Sequence, residues 1–213
     1  MIIIPIGIQC TSATFKNEIG QSCSLPFDWM FATPKFVFEM LVLLLEKNMD
    51  IKELVENHFF YCEKRATLNT GEHYYTCEDG FALYNTKYNA IFPHDNISIE
   101  NIDKYIRRFE RLKDIILNST EDLYFIYISQ SSSQIGNFTI DGINVVNDVY
   151  TYLSKIYKLI GIFRNNYKMV LFDTIHAESP ELLDANIVLH KLNKCNGWDI
   201  LMHQVRTYTY LFK

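Results

Sequence analysis

At 213 residues, with 48% hydrophobic content and 15% aromatics, the chain has enough apolar mass for one substantial core and too little length for two. A net charge of −5 argues against a surface that neutralises phosphates, so neither nucleic acid nor an anionic membrane is an expected partner. The longest apolar run, 36–45, is interrupted by Glu39 and falls short of the roughly 20 residues needed to cross a bilayer. The apolar start lacks a basic region and a small-residue cleavage site, so it reads as a core strand rather than a signal peptide. Five cysteines (Cys10, Cys23, Cys62, Cys77 and Cys195) are an odd number without the dense spacing of a secreted disulfide scaffold, which predicts reduced thiols and a cytoplasmic location. Richness in Ile, Asn, Lys and Tyr fits an AT-rich genome such as that of a large DNA virus, in which case the location is the host cytoplasm.

In chain order, Ile2-Ile3-Ile4-Pro5-Ile6 predicts a short buried strand, followed by Gly7-x-x-Cys10 and a short helix over 11–17. Thr33-Pro34 supplies a cap and a first-turn proline for a helix over 34–47, whose apolar face is Phe36, Val37, Met40, Leu41, Leu44 and Leu45. A second short helix is expected over 51–58. From Phe59 to Ile91 the Tyr-, Asn- and Thr-rich sequence reads as short strands and loops, with a hairpin around Asp79-Gly80. Ser98 caps the clearest amphipathic helix, 99–117, in which the basic cluster Lys104 to Lys113 is interleaved with acids and reads as a solvated face. A strand over 123–129, a polar loop at 131–134, a helix over 142–163, strands over 169–173 and 187–192, and a helix over 198–205 complete the order. Continuous apolar strands separated by helices predict one α/β domain over 1–213, a three-layer fold with a mostly parallel sheet flanked by helices.

A thiol at the junction of a strand and a helix feels the positive end of that helix, which favours the thiolate; the alternative is an inert buried cysteine. The run from Ile4 to Trp29 with Gly7-x-x-Cys10, Ala13 and Pro26-Phe27-Asp28-Trp29, together with Phe92-Pro93-His94-Asp95 and Tyr105-Ile106-Arg107-Arg108-Phe109, resembles the papain-like cysteine peptidase-like domains of unknown function found in bacteria and large DNA viruses. The resemblance spans most of the chain. It implies Cys10 as nucleophile and His94 as base, with Asp28 or Asp95 orienting the histidine as the third member of a triad does. A papain-like fold would put the cysteine on a helix and the histidine in an antiparallel barrel, whereas the strand pattern is closer to a flavodoxin-like or SGNH-hydrolase-like sheet.

In open parallel sheets ligands bind beyond the carboxyl ends of the strands, where Cys10, Ser129 and Asp173 are expected. Asp173-x-x-His176 is a second possible source of a base. Asp28 has a plainer role open to it, capping the turn at Pro26. His58-x3-Cys62 with His73-x3-Cys77 is the one arrangement with zinc-like spacing, but Cys-x2-Cys pairs are absent and no metal or other cofactor is expected. His190 and His203 read as packed or surface histidines. The expected function is a thiol-dependent hydrolase or acyltransferase acting on a carbonyl of a small-molecule, glycan or peptide substrate. Gly-x-x-Cys-x-x-Ala also resembles the opening of polysaccharide-modifying acetyltransferases. The competing reading is a non-catalytic module that holds a sugar or protein through the aromatic segment Phe59 to Tyr88.

Overall fold

The computed structural model describes residues 1–7, 11–62, 64–66, 82–129, 137–140, 143–146, 149–173, 183–193, 195 and 198–212. Four strands form a parallel sheet in the order β1 (Ile2–Pro5), β6 (Leu123–Ile128), β9 (Tyr167–Asp173) and β10 (Val188–Lys191). The registers Ile4 to Phe125 and Phe125 to Met169 align the strands so that side chains alternate between two cores. Ile4, Phe125, Tyr127, Met169 and Leu171 enter one core, and Ile3, Ile126, Ile128, Val170 and Phe172 enter the other. A strand buried on both faces has no polar positions to spare, which is why the sequence runs are apolar without interruption.

The first core is roofed by α2 (Pro34–Leu41), α4 (Ile99–Asn118) and α5 (Val149–Phe163), with α2 packed along α5. The second is closed by α1 (Thr11–Glu18) through Phe15 and by α6 (Trp198–Arg206) through Leu201, Met202 and Val205. The predicted three-layer α/β architecture is therefore present. Thr33 Oγ1 accepts from Phe36 N and Ser98 Oγ from Asn101 N, so both predicted helix caps operate. The helix predicted over 34–47 continues past Leu41 in a wider π-helical turn, Val42–Glu46, and that over 51–58 does the same after Leu54.

Two departures from the sequence expectation bear on the site. The helix predicted from 142 begins at Val149; ahead of it β7 (Asn137–Ile140) and β8 (Ile143–Val146) pair antiparallel, Ile140 opposite Ile143, where the sequence predicts the start of the helix. In a flavodoxin-like order the first strand has a neighbour on each side. Here, among the described residues, β1 pairs only with β6, and the chain after α1 builds a separate antiparallel sheet in the order β2 (Phe31–Ala32), β5 (Ala90–Phe92), β4 (Ala82–Asn85) and β3 (Lys64–Ala66). The hairpin expected around Asp79-Gly80 lies outside the described residues, as does the loop at 131–134.

Candidate active site

Three sheet strands end together. Gly7 follows β1, Ser129 follows β6, and Asp173 closes β9, with Ser129 N donating to Phe172 O at 2.8 Å. Ser129 Oγ donates to Asp173 Oδ1 at 2.8 Å, and the Tyr150 hydroxyl at the start of α5 donates to Asp173 Oδ2. All three side chains are buried, so a carboxylate, a hydroxyl and a phenol are fixed against one another at the carboxyl edge. Gly7 has a steric reason for its identity. A Cβ there would stand 2.3 Å from Ser12 Oγ and 3.3 Å from Ile128 N, so any larger residue must displace the Ser12 hydroxyl and press on the end of β6.

Cys10 lies outside the described residues, and α1 begins at the next position, Thr11. The first turn of α1 carries no acidic side chain to cancel the partial positive charge of its amides. Thr11 and Ser12 are buried, and Ser12 Oγ has no hydrogen-bond partner among the described residues. One turn further on, Lys16 is wholly buried; its Nζ donates to Asp28 Oδ2 at 2.5 Å and to Cys23 O at 2.6 Å.

Asp28 therefore engages a lysine of α1. Its Oδ2 also accepts from Leu25 N at 2.9 Å, which is the turn-capping bond that a Leu-Pro-Phe-Asp turn predicts, while Oδ1 is buried without a partner. Burial pushes the Asp28 carboxyl up from its usual value, against the pull of Lys16. Phe27 sets the turn in the core, edge-on to Phe36 and Phe109.

The second motif diverges at its last two residues. His94 is exposed after β5, whereas Asp95 turns inward, accepting from Tyr105 OH at 2.6 Å and pairing with Lys104. Burial, and then the Asp95 carboxylate, hold the Tyr105 phenol well above its ordinary value. Arg108 lies over the Tyr105 ring at 4.9 Å. Asp28 and Asp95, 67 positions apart in sequence, thus both reach the electrostatic neighbourhood of Tyr105 and Arg108 on α4.

Of the remaining candidates, His176, His73 and Cys77 lie outside the described residues. His58 Nδ1 is 3.1 Å from Tyr88 OH, and burial pushes the Cys62 thiol up to about 12. No group of three His, Cys, Asp or Glu side chains suited to a metal occurs among the described residues. His190 stacks on Phe172 and Tyr208, and His203 lies exposed on α6. No helix among the described residues is long and apolar enough to cross a membrane. Sequence reasoning did not single out Lys16 or Tyr150, and it named Tyr105 only as part of a motif, without a role in the site. A lysine in a short helix and a tyrosine in an amphipathic one carry no local sign that a carboxylate from a distant segment will meet them.

The fold and the polar carboxyl edge define an α/β protein in which Ser129, Asp173 and Tyr150 are joined where parallel strands end. The chain belongs to the family described as "putative papain-like cysteine peptidase", which matches residues 2–174 and so covers the strand ends, both motif segments and α4. No curated protein and no solved structure matches the chain.

Proposed function

We propose that the protein is a thiol-dependent hydrolase or acyltransferase with Cys10 as nucleophile and His94 as proton carrier. The Cys10 thiolate attacks a substrate carbonyl, and an amide of the first turn of α1 receives the developing oxyanion. The tetrahedral intermediate expels its leaving group, which takes a proton from the His94 imidazolium, and leaves a thioester. Water, or an acceptor hydroxyl on a sugar, then loses its proton to His94 and attacks the thioester, which regenerates the thiolate. Asp28 and Asp95 act as positioning residues: Asp28 holds Lys16 and hence α1, and Asp95 fixes the backbone beside His94 through Tyr105 and Lys104.

The observation that carries this reading is Gly7, where a Cβ would crowd Ser12 and Ile128, followed from Thr11 by a helix whose first turn has no acidic side chain. A strand, a tight glycine and a helix start is how a nucleophile is presented at a sheet edge. The test is the rate of Cys10 alkylation by iodoacetamide from pH 4 to 9, resolved by peptide mass spectrometry, in the native protein and in His94→Ala. Fast modification below pH 7 that slows in His94→Ala is the expected result. A Cys10 that stays unmodified until the protein unfolds refutes the proposal and leaves a binding module.

A further inference from the structure

The basic cluster of α4 is a solvated face, with Arg107 and Arg111 exposed, and it lines an open groove of about 470 Å³ whose opposite wall is the segment Ser22 to Ser24. Lys104, Arg107, Arg108 and Arg111 recur at spacings of three and four, which puts them on one side of the helix. Lys104 is paired with Asp95, but no carboxylate lies within salt-bridge distance of Arg107, Arg108 or Arg111 among the described residues. Arg111 donates to Ser24 O at 2.6 Å, which ties the two walls together, and Arg108 is steadied by the Tyr105 ring. Three guanidinium groups in one groove, of which Arg108 feels a nearby carboxylate, that of Asp28, are unusual for a chain with a net charge of −5.

We propose that this groove binds a diphosphate group. Guanidinium forks match phosphate oxygens in pairs, which a lysine cannot do. Arg107 and Arg111 stand one helical turn apart, about 6 Å along the axis at 1.5 Å per residue, so their long side chains can take the outer oxygens of two linked phosphates from neighbouring turns. Three positive charges also match the roughly three negative charges of a diphosphate at neutral pH. Ser22 and Ser24 supply neutral donors on the facing wall. The site is independent of thiol chemistry at Cys10.

The experiment titrates the full-length chain with inorganic pyrophosphate by calorimetry at low ionic strength and at 0.15 M salt, alongside maleimide labelling of Cys23, which is exposed in the groove. The expected result is saturable binding that weakens with salt, at least tenfold loss of affinity in Arg107→Glu and in Arg111→Ala, recovery in Arg107→Lys to an intermediate value, and slower Cys23 labelling when pyrophosphate is bound. ADP in place of pyrophosphate distinguishes the sources: tighter binding of ADP assigns a diphosphate ester, and equal or weaker binding assigns the free ion. Absence of binding at millimolar pyrophosphate, binding undiminished in both variants, or binding that leaves Cys23 labelling unchanged overturns the proposal. Unfolding midpoints of the variants, measured alongside, separate loss of the site from loss of the fold.

Discussion

Lys16→Met tests whether the Lys16–Asp28 pair is the strut that holds α1 to the Pro-Phe-Asp-Trp turn. Both side chains are about 1–2% exposed, so removing the ammonium leaves Asp28 buried with one bond, from Leu25 N, and with Oδ1 still unpartnered. Removing one member of a buried pair typically costs about 3–5 kcal/mol, and the single remaining donor argues for the upper half of that range. Urea unfolding followed by tryptophan fluorescence at pH 7 measures it, through the shift in midpoint at unchanged slope. The loss has a pH signature. Burial already raises the Asp28 carboxyl and Lys16 opposes it, so in the variant the folded value lies further above the unfolded value of 3.8. A carboxyl raised on folding costs stability above its folded value and regains it as pH falls towards the unfolded one, so the gap to wild type narrows between pH 7 and pH 4. Lys16→Met combined with Asp28→Asn removes the charge while keeping an acceptor for Leu25 N, and is expected to recover most of the loss. A single-variant loss below about 1 kcal/mol, or a double variant no better than the single one, refutes the reasoning.

Gly7→Ala is expected to cost about 1–3 kcal/mol by overpacking, because the new methyl meets Ser12 Oγ at 2.3 Å; adding Ser12→Ala recovers part of the loss in a thermal melt, but the contact of 3.3 Å to Ile128 N remains. Arg164, buried just after α5, donates to the carbonyls of Ile115, Ile116, Ser119 and Glu121 and so closes the end of α4; Arg164→Met is expected to lose about 3 kcal/mol in urea unfolding, and hydrogen exchange should rise first at 115–121. Tyr150→Phe removes a donor from buried Asp173 and is expected to cost about 1.5–3 kcal/mol, measured as the shift in urea midpoint relative to wild type. Burial lowers His190 below 6.5. The unfolded chain then takes up the proton first, so stability falls as pH drops through about 6.5 and levels off below the folded value; His190→Phe should show a smaller change in melting temperature between pH 7.5 and 5.5.

The sheet was legible in the sequence because burial on both faces leaves only apolar runs, as in Ile2 to Ile6 and Leu123 to Ile128, and the helices because Thr33 and Ser98 write their caps locally. Ser129 and Asp173 could be placed at the carboxyl edge from strand ends alone, and their 2.8 Å bond followed from the register of β6 with β9. The pairing of Asn137–Ile140 with Ile143–Val146 was missed, since a short apolar run such as Ile143 to Val146 fits a four-residue strand as well as the start of an amphipathic helix. What tertiary structure alone decided is which charge meets which. Lys16 and Asp28 are 12 positions apart, and Asp95 and Tyr105 sit on different elements. Nothing in the residues around each states that it is buried, because the partner that makes burial tolerable arrives from another segment only when the layers close. The same closure made the solvated α4 arginines one wall of a groove, for the opposite wall, Ser22 to Ser24, is brought there by the turn that Asp28 caps.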